Sequence, residues 1–178
     1  MWGGPGDDLI FGGSGNDRIG GGPGNDTIIA NAGNNMIFGG EGHDFLQGGT
    51  GNDTIFGGPG NDTIIGIAGN NELWGGPGND YIHAGPGDDT VTGGPGADVF
   101  VFKKGDQNLT ITDFSPDQND TLLLQSALFG GSMSANDVIA SYAQVSNGSV
   151  VFNFGGGDMI TLQGISTTNG LANHIDIG

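Results

Sequence analysis

The sequence predicts an all-β solenoid of stacked nine-residue units, closed by a β-rich cap with one short helix. Three observations carry that prediction. From Gly3 to Val101 the chain divides into nonapeptides without an insertion, one position of each unit is always apolar, and most of the chain's 40 glycines recur at fixed positions within the units. "GGPGNDTII" at Gly21 to Ile29 returns unchanged at Gly57 to Ile65. Register this strict marks identical structural units that stack on one another.

The eleven units begin at Gly3, Gly12, Gly21, Ala30, Gly39, Gly48, Gly57, Gly66, Gly75, Ala84 and Gly93. Their fourth residue is always Gly and their eighth is always apolar: Ile10, Ile19, Ile28, Ile37, Leu46, Ile55, Ile64, Leu73, Ile82, Val91 and Phe100. Gly supplies backbone angles barred to other residues, Pro at the third position of six units pre-sets one turn angle, and Asn or Asp at the fifth is expected to take up the left-handed region. Six residues should therefore turn and three extend. A three-residue strand with one inward apolar side chain is unstable alone, but stacked copies bury a continuous ladder of Ile, Leu and Val between two sheets. Residues 3–101 form this repeat region.

Residues 102–178 have fewer glycines and more apolar positions, which is the composition of a cap. "LTITDF" at Leu109 to Phe114 and "TLLL" at Thr121 to Leu124 read as strands. "SANDVIASYAQ" opens with Ser134 and Asp137 in capping-box spacing ahead of a short helix. Asn147-Gly148 lies between two extended runs, as a hairpin turn would, and "DMITLQGI" offers a strand after the glycines at 155 to 157. The tail "NHIDIG" reads either as a last strand closing the cap or as an acidic and apolar export signal.

Charge narrows the function. With 20 acidic residues against 3 Lys and Arg, the net charge of −17 argues against nucleic acid or an anionic membrane as partner and in favour of cations. No stretch has the length of a membrane span. There is no Cys, so thiolate zinc sites and disulfides are excluded, and any staple must be a metal held by oxygen. The sixth position is Asp in nine of the eleven units. Stacked aspartates put like charges beside one another along the whole column, so a counter-ion is physically required.

The motif G-G-x-G-x-D-x-U-x resembles the RTX, or haemolysin-type, calcium-binding repeat. The resemblance implies a right-handed parallel β-roll in which two nonapeptides make one coil, with calcium between loops stacked two units apart. It also implies the ligands: carbonyls of the second and fourth positions plus Asp from one loop, carbonyls of the first and third plus Asp from the next. On the odd-numbered units these are Gly4, Gly6 and Asp8; Gly21, Gly22, Pro23, Gly24 and Asp26; Gly39, Gly40, Glu41, Gly42 and Asp44; Gly57, Gly58, Pro59, Gly60 and Asp62; Gly75, Gly76, Pro77, Gly78 and Asp80; and Gly93, Pro95 and Asp98. Six oxygens suit calcium better than magnesium, which demands a tighter octahedron and dehydrates reluctantly.

The even-numbered units are expected to bind more weakly. Their sixth positions read Asp17, Asn35, Asp53, Asn71 and Asp89, and a twelfth, weaker copy starting at Phe102 puts Gln107 next in that column. Every even site then lacks a carboxylate.

The later part, "ADVFVF", "ITDF", "DTLLL" and "GGGDMITLQG", resembles the cap of serralysin-like and other type I secreted proteins. That likeness implies an extracellular module that folds on binding calcium outside the cell, supports type I secretion and stabilises a secreted protein. A type I secretion apparatus and an upstream catalytic domain are the partners it implies. No enzyme is expected in this chain itself: neither H-E-x-x-H nor G-x-S-x-G occurs, and the three histidines, His43, His83 and His174, are far apart in sequence. His43 and His83 are expected to be tolerated surface substitutions. Two other readings are the C-terminal part of a secreted hydrolase, such as a protease or lipase, and an adhesive or ice-binding solenoid. The last would need a regular Thr array, whereas Thr27, Thr54, Thr63 and Thr90 are split between two sheets and interrupted by Phe45, Met36 and Glu72. Ninth-position Phe38, Phe56 and Trp74 should form an outward aromatic stripe on one sheet.

Overall fold

The computed structural model describes residues 1–178. Strands alternate between two sheets all along the repeats: β1 (Leu9–Ser14), β2 (Arg18–Pro23), β3 (Thr27–Ala32), β4 (Met36–Glu41), β5 (Phe45–Thr50), β6 (Thr54–Phe56), β7 (Thr63–Ala68), β8 (Glu72–Trp74), β9 (Tyr81–His83), β10 (Gly87–Thr92) and β11 (Val99–Phe102). The cap adds β12 (Gln107–Ile111), β13 (Thr121–Leu124), helix α1 (Ala135–Tyr142), β14 (Ala143–Ser146), β15 (Ser149–Gly155), β16 (Asp158–Leu162) and β17 (Ile175–Ile177). Odd strands form one sheet, in the order β1-β3-β5-β7-β9-β11-β13-β17. The other sheet runs β2-β4-β6-β8-β10-β12-β16-β15-β14.

Neighbouring repeat strands are parallel and pair residues one coil apart, as Leu9 with Thr27 and Thr27 with Phe45. This register puts every eighth-position side chain inside. From Ile19 to Phe100 those ten residues are at most 1% exposed, and they form one core that continues into Leu122, Phe152, Ile160 and Leu162 of the cap. Each three-residue strand thus gains a buried face only from its neighbours, as expected for a solenoid. In β1 to β5 and β7 the strands reach six residues because the first three positions of the next unit stay in the ladder.

The left-handed residues lie elsewhere than expected. They occupy the second and fourth positions, as Gly22 and Gly24 at φ 123° and 139°, while no fifth-position residue has positive φ. A Cβ on Gly22 or Gly24 would also collide with the carbonyl of Gly4 or Gly6 in the preceding coil, so glycine is needed there twice over. The fifth-position side chains instead build a ladder: the Asn25 N–H donates to Asp7 Oδ1 at 2.7 Å and the Asn79 N–H to Asn61 Oδ1 at 2.8 Å. Asn is there as a hydrogen-bond acceptor rather than as a left-handed residue.

The cap follows the expected plan. α1 starts on the Ser134–Asp137 capping box, and Asn147-Gly148 turns β14 into antiparallel β15 with both residues at positive φ. β17 pairs with β13, and the Gly178 N–H donates to the Leu124 carbonyl at 3.0 Å. Ile175–Ile177 of the "NHIDIG" tail therefore form the last strand of the odd sheet.

Candidate metal centre

Sixth-position side chains stand in two columns, one on each edge of the roll. On the odd rail, each residue's N–H donates to Oδ1 of the residue one coil later: Asp8 to Asp26, Asp26 to Asp44, Asp44 to Asp62, Asp62 to Asp80 and Asp80 to Asp98, all at 2.8 to 2.9 Å. The even rail repeats this with Asp17, Asn35, Asp53, Asn71 and Asp89 at 2.7 to 3.0 Å. Strict nine-residue spacing is what superimposes these groups. After the first coil, whose Asp8 and Asp17 only donate, each carboxylate is oriented by one backbone donor and left with its second oxygen free.

That second oxygen is the decisive feature. Oδ2 of Asp8, Asp17, Asp26, Asp44, Asp53, Asp62, Asp80, Asp89 and Asp98 is buried without a hydrogen-bond partner. An unpaired buried polar atom costs about 1–3 kcal/mol, and more when it is charged. The six on the odd rail stack without a break and cannot be left uncompensated in a marginally stable fold, whereas the three on the even rail alternate with asparagines. The chain does not supply the compensation: its one ion pair is His83 with Asp106, at 3.1 Å, and it includes no rail aspartate.

Burial lifts the carboxyls of Asp62, Asp89 and Asp98 to about 6 and that of Asp80 to about 7, against the backbone N–H bond that each accepts. Asp44 and Asp53 move upward for the same reason. On the odd rail the stacked neighbours add repulsion, Asp44 on Asp62 and both Asp62 and Asp98 on Asp80. The raised values belong to anionic oxygens that lack a cation.

Main-chain oxygens share the same space. A Cβ added to Gly21, Gly57 or Gly75 would strike both its own loop's Asp Oδ2 and the first-position carbonyl of the following coil, Gly39, Gly75 or Gly93. No three acidic or histidine side chains gather at one point, so a cation between coils must complete its shell with carbonyls. Carboxylate and carbonyl oxygens in a backbone cradle suit calcium.

The family comparison agrees with this chemistry. The model of the RTX calcium-binding nonapeptide repeat matches in four copies, at residues 1–28, 29–64, 38–73 and 65–100. The chain belongs to this family. Its RTX repeats are a calcium-binding solenoid, and the buried Asp ladder is the part of the structure that fits the cation. The fold is similar to that of extracellular lipase LipA from Serratia marcescens, with a TM-score of 0.51 and 18% identity over 96% of this chain. The chain spans 40% of that lipase's length. The AlgE6R3 subunit of the Azotobacter vinelandii mannuronan C5-epimerase is similar more distantly, with a TM-score of 0.37, 26% identity and coverage of 76% of this chain and 78% of that one. No curated protein matches the chain.

Several residues at the rails differ from the sequence expectation. The odd rail does not end at Asp98: its N–H donates to Asp120 Oδ1 at 3.0 Å, and Asp113 accepts the N–H groups of Gly93 and Gly94. A 22-residue step hid Asp120 from the nine-residue frame, and "DQND" was the available signal. Gln107 does not join the even rail, because the cap enters with a longer step that pairs Asp89 with Leu109 and leaves Gln107 paired with Gly87. His43 and His83 are more than surface substitutions. His43 Nδ1 accepts the Asn61 N–H at 2.8 Å, taking an asparagine's place in the fifth-position ladder, and His83 faces Asp106. The aromatic stripe is present as a stack, Phe38 to Phe56 at 5.1 Å and Phe56 to Trp74 at 4.6 Å, and Trp2 extends it at 6.3 Å from Phe38.

Proposed function

We propose that the inter-coil gaps of the odd rail are the calcium sites, that ions there are held by paired aspartates Asp8 to Asp98 and the glycine and proline carbonyls of the first four positions of each loop, and that binding these ions drives folding outside the cell. The observation that supports this most strongly is the row of buried Oδ2 atoms without partners. Calcium when bound supplies the positive charge they lack, and ligand binding then contributes directly to folding free energy. The chain's own residues do the rest: Gly at the second and fourth positions lets the loops close, and each ladder N–H fixes its carboxylate. Residues 3–101 are the calcium-dependent part and residues 102–178 the cap that covers the roll's far end.

A strongly acidic repeat with one inward apolar residue in nine stays unfolded without its ion. Such a chain passes a secretion channel where calcium is scarce and folds where it reaches roughly 10⁻⁴ to 10⁻³ M, the affinity range of extracellular modules. On this reading the module serves type I secretion and the stability of a secreted protein, with an upstream catalytic domain as its natural companion. No helix is long and apolar enough to cross a membrane. Limited proteolysis with and without calcium tests the proposal: the repeats should be cleaved in chelator and resist in millimolar calcium, and equal cleavage in both would refute it.

A further inference from the structure

We propose that Asn35 and Asn71 are built-in stand-ins for cations, which keep the even rail free of tightly bound calcium and confine the metal-dependent step of folding to the odd rail. This rests on the calcium reading above. The ladder fixes the orientation of both amides. Oδ1 of Asn35 meets the Asp17 N–H at 3.0 Å and Oδ1 of Asn71 meets the Asp53 N–H at 2.9 Å, and only the oxygen of an amide accepts a hydrogen bond. Nδ2 must therefore point where an aspartate would place its unpartnered Oδ2.

There it does what a cation would do. Asn35 Nδ2 donates to the Gly33 carbonyl at 3.0 Å, and Asn71 Nδ2 to the Gly69 carbonyl at 3.1 Å and the Ala84 carbonyl at 3.4 Å. Ala84 is the first residue of the next even loop, so its carbonyl is the counterpart of the carbonyls that face Oδ2 on the odd rail. An N–H aimed into the gap occupies those oxygens and opposes a positive ion. Aspartate leaves an anionic oxygen in need of a partner; asparagine completes its hydrogen bonds within the protein.

The placement of the two residues covers the whole rail. They stand on alternate even coils, so each of the four even ladder bonds joins an Asp to an Asn, while each of the six odd bonds, the last from Asp98 to Asp120, joins two aspartates. A second difference follows the same division. Every first position on the odd side is Gly, whose missing Cβ leaves room beside Oδ2, whereas the even side carries buried Ala30 and Ala84. Both changes remove a cation's oxygens or its space.

The test compares the full-length chain with the variant Asn35→Asp/Asn71→Asp by calcium titration calorimetry, and locates ions in wild-type crystals by calcium anomalous scattering. The wild type should bind one ion per odd ladder bond, with anomalous peaks on the odd rail alone. The double variant should bind more ions than wild type and fold with a steeper dependence on calcium. Peaks of equal height on both rails of the wild type, or an unchanged stoichiometry in the variant, would overturn the proposal and leave the calcium reading standing. Should the variant fail to fold, the wild-type peaks alone decide between the two rails. Absence of calcium from both rails would instead overturn the calcium reading itself.

Discussion

Replacing Asp62 by Asn changes one oxygen to nitrogen in the middle of the odd rail. Asp62 is 2% exposed, its Oδ1 accepts the Asp44 N–H at 2.9 Å, and its own N–H donates to Asp80 at 2.8 Å. Asn preserves both bonds, as Asn35 and Asn71 do on the other rail, so the substitution tests charge and ligation alone. Two gaps, one on each side, lose a carboxylate. If each gap then binds calcium roughly tenfold more weakly, each loses about 1.4 kcal/mol of linkage at calcium well above the site affinity, or about 3 kcal/mol together. For a chain of this size a kilocalorie moves the melting temperature by about 2–4 °C, so D62N should melt roughly 6–12 °C lower in saturating calcium. D53N makes the same chemical change between Asn35 and Asn71, where no carboxylate pair exists to be broken, and should cost under about 1 kcal/mol. D62A should be worse than D62N even in low calcium, because the buried Asp44 N–H loses its acceptor, at about 1–3 kcal/mol. Thermal melts followed by circular dichroism at fixed calcium measure all three. Equal losses for D62N and D53N would show that the aspartate columns do not differ in their use of the ion.

Three further outcomes follow from other parts of the roll. Phe56→Ala removes two stacked contacts, at 5.1 and 4.6 Å, and should cost about 1–3 kcal/mol in chemical denaturation while leaving light-scattering mass unchanged; unaltered stability would refute the stack's structural role. Ile67 holds φ at 88°, a strained conformation for a β-branched residue, so Ile67→Gly should stabilise by about 1 kcal/mol after the entropy of glycine is counted, and a lower melting temperature would contradict this. Asp62, Asp89 and Asp98 at about 6 and Asp80 at about 7 lie above the ordinary 3.8, so their protons favour the folded roll most fully below 3.8 and this contribution is lost as pH rises through about 6 to 7. Protons and calcium compete for the odd-rail oxygens of Asp62, Asp80 and Asp98, so apparent calcium affinity should fall steadily between about pH 7.5 and about pH 5.5, with proton release on binding; affinity independent of pH would refute it.

The repeats were legible because their physics is local and periodic. Nine-residue register, together with the two units per coil that the family resemblance implies, places Ile28 over Ile10 and Asp26 over Asp8, and the structure bears both out. What the period could not show were contacts that break it. Asp120 and Leu109 enter after longer steps, so extrapolating the frame put Gln107 where the chain had already slipped. The role of the fifth position was missed for another reason: Asn suits both a left-handed turn and an acceptor ladder, and only the neighbouring coil decides between them. His43 follows from that, since a neutral imidazole nitrogen accepts the same N–H as the asparagine oxygen it replaces. Trp2 precedes the first complete unit and so fell outside the stripe, although it occupies the ninth position of the unit before. In the cap, the capping box at Ser134 and the Asn147-Gly148 turn were readable because each is a short-range signal.

Far-ultraviolet circular dichroism of the full chain, begun in excess chelator and followed through a calcium titration, bears most directly on the central claim. The account predicts that most of the β signal is absent in chelator, with only part of the cap retained, and that it returns cooperatively because each internal odd loop shares two ions. A complete β-roll spectrum in chelator, unchanged on adding calcium, would contradict it.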